Sequence, residues 1–149
     1  MELKTRLAED LKSALRSGDR LRTSVIRLLT ARIKNREVEK RGPLTDAEAL
    51  QAVSASCKQR QEAIEQYRRG GRQDLVDKET AELAILQSYL PAALGPDDLQ
   101  ALVREAIRDT QASSLRDMGK VMALLMPKVT GRADGTVVST LVRETLSNA

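Results

Sequence analysis

Leucines at positions 3, 7, 11 and 15 open the chain at one per helical turn, and Gly18 follows as a C-terminal stop, so a first helix is predicted over about residues 2–17. Asp19 is placed to cap a second helix whose apolar side is Leu21, Val25, Leu28, Leu29 and Ile33. Its periodicity weakens toward Gly42-Pro43, where fraying is expected. Thr45-Asp-Ala-Glu48 has the spacing of a capping box: the threonine hydroxyl accepts from the third helical amide and the glutamate reaches back. The third helix keeps Leu50, Val53, Cys57, Ile64 and Tyr67 on one face until Gly70-Gly71. A fourth, with Asp74 as its expected cap, carries Leu75, Val76, Leu83, Leu86 and Leu90 before Pro91.

Residues 91–96, Pro-Ala-Ala-Leu-Gly-Pro, punctuate the pattern as a linker. Beyond it, Pro96 opens a fifth helix that buries Leu99, Leu102, Val103 and Ile107. Ser114 starts a sixth, with Leu115, Met118, Met122, Leu125 and Met126 at helical spacing. Pro127 is expected to end it, because proline has no amide proton and disfavours the α region at Met126. Gly119 lies on the apolar side of this helix and suggests the close approach of another. Val137, Val138, Leu141, Val142 and Leu146 write a seventh. The expected fold is all-α, a four-helix bundle over residues 1–90 followed by a three-helix bundle over 97–149.

Composition agrees with the helical reading and narrows the chemistry. The 149 residues include no Phe, Trp or His and only two Tyr, so the core must be aliphatic. Cys57 is the lone cysteine, which precludes an intramolecular disulfide; on an apolar stripe, with no histidine to activate it, it reads as a buried inert thiol. Lacking an apolar signal core or a run of about 20 apolar residues, the sequence suggests a cytoplasmic protein with no membrane role. Glu79, Glu82 and Asp77 read as a solvated face supporting helical ion pairs. No catalytic group, metal ligand or cofactor motif is recognisable.

The net charge of +4 is unevenly placed. Residues 1–90 hold 18 Lys and Arg against 14 Asp and Glu, whereas residues 91–149 hold 7 of each. Arg20, Arg27, Lys34 and Arg41 recur every seven residues on the second helix, which sets them in a nearly straight row with neighbours ~10.5 Å apart. This cationic ridge suits a polyanion, against the simpler reading of a solvated face. Arg22, Arg32 and Arg36 fall in or beside the apolar sector and are expected to form structural pairs.

Near the C-terminus, Gly131 and Gly135 allow left-handed turns and Asp134 is placed to cap the seventh helix. Lys128 and Arg132 share that corner with backbone amides and a helix N-terminus, an arrangement that can hold phosphate. It can equally be a helical hairpin that exposes charge.

The strings Asp-Met-Gly-Lys-Val-Met (117–122), Leu-Met-Pro-Lys-Val (125–129) and Gly-Arg-Ala-Asp-Gly (131–135) resemble the C-terminal motif of the YqeY family. Ser24-Val-Ile-Arg-Leu-Leu29, Gly71-Arg-Gln-Asp-Leu-Val76, Glu79-Thr-Ala-Glu-Leu-Ala-Ile-Leu86 and Tyr89-Leu-Pro91 extend the resemblance along essentially the whole chain. That family is similar to the tail of the B subunit of the aspartyl/glutamyl-tRNA amidotransferase, a region associated with tRNA. The resemblance therefore implies a tRNA-binding module that assists glutamine-dependent amidation of charged tRNA, in the homology class of carbon-nitrogen ligases, rather than a self-sufficient enzyme. An amidotransferase or an aminoacyl-tRNA synthetase is the implied protein partner. The RNA-binding candidates are Arg20, Arg27, Lys34, Arg41, Lys120, Lys128, Gly131, Arg132 and Gly135. Scarce aromatics favour recognition of folded RNA by shape and phosphate over base stacking. A protein–protein adaptor without RNA binding is the alternative.

Overall fold

A computed structural model describes residues 2–148 and is all-α, with seven α-helices, one short 3-10 turn and no strand among the described residues. The helices are α1 (Leu3–Ser17), α2 (Arg20–Lys40), α3 (Asp46–Arg69), α4 (Gln73–Gln87), α5 (Pro96–Thr110), α6 (Met118–Val129) and α7 (Gly135–Ser147). None of the described helices is long and apolar enough to cross a membrane. The chain divides into two compact units, Met1–Leu90 and Pro91–Ala149.

In the first unit, α1–α4 share one aliphatic core in which Ile26, Leu29, Val53 and Leu86 are almost wholly buried. Gly18, at φ 73°, closes α1, and the Asp19 amide donates to the Ala14 carbonyl across that turn. The four-residue leucine spacing of α1 drifts by ~40° per step against the helical period. Leu3 and Leu7 are consequently buried and Leu11 partly so, but Leu15 is swung out to 51% exposure while Ala14 takes its place inside. The same accounting corrects α2, where Ile26 is in the core and Leu21 and Leu28 are exposed.

The end of α2 is intact to Lys40 rather than frayed. Glu37 secures it, accepting from Lys4 Nζ at 3.0 Å and from the Leu44 amide at 2.8 Å, so α1, α2 and the approach to α3 meet on one carboxylate. Those partners hold its pKa below the ordinary value, the Leu44 N–H foremost. The capping box of α3 forms, with Thr45 Oγ1 accepting from the Glu48 amide at 3.2 Å and Glu48 Oε1 from the Thr45 amide at 3.0 Å. Lys40 joins Glu48 at 2.6 Å and, with the Thr45 N–H, drives its pKa down to about 2.

The sign of the pH effect follows from this shift. The Glu48 contribution is fully present above the ordinary carboxylate range near 4.5 and is lost as pH falls toward 2. Glu48→Gln should therefore destabilise the chain at pH 7, with the deficit shrinking steadily in urea melts taken from pH 5 to pH 2.5. Thr45→Ala, which removes the reciprocal cap, should cost ~1 kcal/mol. A pH-independent Glu48→Gln deficit would show that the carboxylate charge plays no part.

Asp74 does not cap α4. Arg72 occupies the N-cap without a side-chain capping bond, and Asp74, two residues further in, pairs with it at 3.0 Å. Nor does α4 reach Leu90: it stops at Gln87, and the following turn delivers Tyr89 to the core at 3% exposure. Burial and the Asp10 carboxylate, which accepts from the Tyr89 hydroxyl at 2.5 Å, push this phenol up to about 12. Arg6 stacks over the ring at 4.6 Å and donates to the Ser88 carbonyl, tying α1 to the end of α4.

The second unit packs α5, α6 and α7 around Val103, Val121, Leu125, Val129, Val138 and Val142. Here Pro127 lies inside α6, correcting the expected stop at Met126. Proline removes one helical donor, but Val129 is fully buried and draws the chain through another turn. The Thr130 hydroxyl and amide both donate to the Met126 carbonyl to end it. Leu115 and Val137 remain exposed, and among the described residues nothing lies within 4 Å of where a Gly119 side chain would begin, so no described helix approaches there.

Candidate nucleic-acid interface

The cationic row on α2 follows from a register that turns Val25, Ile26, Leu29 and Ile33 inward. Arg20, Arg27 and Lys34 are exposed on the other side, and none of the three forms an ion pair among the described residues. Arg41, also exposed, departs from the row: it is the C-cap, in left-handed backbone at φ 63°. The three inner arginines behave differently from one another. Arg22 pairs with Asp19 at 3.7 Å, and Arg32 donates to Ser56 Oγ at 3.0 Å and to Gln59. Arg36 is half-buried beside Glu39 and Gln51 without an ion pair among the described residues.

The C-terminal corner is more heavily engaged than its sequence suggests. Lys128 lies 4.0 Å from Glu105 on α5, and Lys120 lies 4.0 Å from Asp117. Arg132 donates from Nε to the Ala92 carbonyl at 3.1 Å, and its own carbonyl accepts from the Leu94 amide at 2.9 Å. Three of the corner's backbone donors are also used: the Arg132 and Ala133 amides bond to Val129 O, and the Thr136 amide bonds to the Asp134 cap at 2.8 Å. Only Gly131 adopts the left-handed conformation, at φ 76°; Gly135 is the first residue of α7 with no positive φ. The geometry at this corner is that of a closed hairpin with an exposed lysine.

Two features of the first unit escaped sequence reasoning. Glu79 and Glu82, expected on a solvated face, converge instead on Arg60 of α3, Glu79 at 2.9 Å, with side chains only 11–19% exposed. A groove of about 710 Å³ lies along α1 and α2, where exposed Leu15 and Leu28 flank Arg20 and Arg27. The available signal for that groove was angular: counted at ~100° per residue, Leu15 and Leu28 fall off the core side of their helices. Cys57 is buried, and burial pushes its thiol up to about 11, which leaves it protonated and unreactive at neutral pH.

Comparison with known proteins adds lineage to this geometry. A family model described as "Yqey-like protein" matches residues 4–146. A Pyrenophora tritici-repentis protein named "Altered inheritance of mitochondria protein 41, mitochondrial" is 33% identical over 143 residues, covering 93% of this chain and 78% of the relative. Proteins of the same name from Eremothecium gossypii and Lachancea thermotolerans are each 39% identical, over 87 and 85 residues. Those matches cover 58% and 56% of this chain but only 48% and 46% of the relatives, about half their length. The expectation of a cytoplasmic location is overturned by these names, which are those of mitochondrial proteins. A single unpaired cysteine argues against oxidising surroundings but does not separate one reducing compartment from another.

Proposed function

We propose, for a chain that belongs to the YqeY-like family, a module that binds folded RNA of the tRNA class through the outward row of α2. The observation that carries this reading is the row itself. Arg20, Arg27 and Lys34 are exposed without ion pairs among the described residues, while neighbouring cations such as Lys4, Arg22 and Lys40 are paired. A rigid helix holding cations at ~10.5 Å intervals meets a phosphate backbone with little ordering cost and no need for aromatic stacking. Arg41, off the row at the C-cap, adds exposed charge of its own, and Lys120 supplies weaker, partly neutralised charge, whereas Lys128 is engaged by Glu105. Assistance to amidation of charged tRNA is the wider role that this reading offers, with the chemistry supplied by a partner.

A second reading is favoured by one observation, the α1–α2 groove. Among the described residues its only charged lining residues are Arg20 and Arg27, so an amphipathic helix with an acidic flank complements it. Such a partner would make the chain an adaptor.

Salt dependence separates the two. Changing Arg27 and Lys34 to glutamine should weaken tRNA binding and flatten the plot of log affinity against log salt by roughly 0.7–0.9 per lost phosphate contact. Lys128→Gln should leave the slope unchanged, because that lysine already faces Glu105. Binding to tRNA no tighter than to an unrelated polyanion of equal charge would overturn the RNA reading.

A further inference from the structure

Between α2, α3 and α4 lies a cleft of about 200 Å³, separate from the outward row, with opposite charges on its walls. On one side, Arg32 is held by Ser56 and Gln59, which occupy two of its five N–H donors. On the other, Glu79 shares Arg60 with Glu82, so two carboxylates face one guanidinium where all three side chains are less than a fifth exposed. That grouping carries a surplus negative charge in a setting where unbalanced charge is costly. Only Oε2 of Glu79 is engaged, leaving Oε1 without a partner among the described residues. Ser56 and Arg60 are one turn apart on α3, which sets the two ends of the cleft within ~6 Å along that helix. Val25, Leu28, Leu29 and Leu86 form its apolar wall, with Leu28 half-exposed at the lip.

We infer that this cleft is a binding site for a small zwitterion of the free amino acid class. The ligand's ammonium meets Glu79 and offsets the surplus carboxylate, its carboxylate takes the remaining donors of Arg32, and its aliphatic part covers Leu28. The volume, equal to that of about seven water molecules, suits a ligand of this size. The site's charged groups lie off the outward row, since neither Arg32 nor Glu79 belongs to it.

The test titrates the twenty standard L-amino acids one at a time into the full chain by calorimetry. At least one should bind with a Kd of about 1 mM or tighter, and its amide and its deaminated acid should each bind at least about tenfold more weakly. Glu79→Gln should remove the preference for the ammonium while retaining that for the carboxylate. Arg32→Lys, which keeps a cation beside Ser56, should weaken binding without lowering the melting temperature by more than a few degrees. Absence of binding by all twenty would overturn the proposal, as would equal affinity for the amino acid, its amide and its deaminated acid.

Discussion

Replacing Arg60 by methionine should lower the stability of the first unit by about 3–5 kcal/mol, read from urea melts of the full chain at pH 7. The size of the effect comes from what is left behind. Glu79 and Glu82 both use this guanidinium, and their side chains are 19% and 11% exposed, so its removal strands two carboxylates between α3 and α4. Deleting the whole grouping is a different matter, because neutral groups of similar shape avoid the desolvation cost. Arg60→Met combined with Glu79→Gln and Glu82→Gln should recover most of the loss. A single substitution that cost under ~1 kcal/mol would mean that water screens these groups as it does a surface pair.

In the second unit the largest effect belongs to Leu125, which is fully buried in the middle of α6. Leu125→Ala removes three carbons from a small core and should cost about 2–5 kcal/mol. For a unit of this size, that is a fall of at least ~10 °C in melting temperature. Because the cores centred on Leu29 and Leu125 are distinct clusters, the substitution should move one calorimetric transition and leave the other in place. One transition shifting as a whole would show that the two units melt as a single cooperative body.

What could be read in the sequence was mostly local. Gly18, the Thr45–Glu48 box, the Asp19 and Asp134 caps and the buried Cys57 all depend on residues within a turn or two of one another, and each is found where the pattern places it. The errors have physical causes of two kinds. Leu15 is set by its accumulated helical angle, which gives its place in the core to Ala14, and Pro127 by the pull of Val129 downstream, and neither is carried by the residue's type alone. The Arg60–Glu79–Glu82 grouping and the Lys128–Glu105 pair lie between helices, and periodicity along one helix does not encode which neighbour it will face. Arg132 combines both limits. Its place beside Gly131 suggested an anion contact and gave no sign that its Nε would donate to a carbonyl 40 residues earlier in the chain.

That bond to Ala92 changes where the second unit can be cut from its neighbour. Proline and glycine punctuation puts the seam anywhere from 91 to 96, yet Ala92 and Leu94 are both stitched to Arg132, and Leu94 packs against the core of α5–α7. A graft that moved this unit into another protein from Pro96 onward would leave Arg132 without its acceptor and uncover the side of the core that Leu94 closes. The transferable piece begins with Ala92, and the segment that looks like slack between two modules is the first fastening of the second.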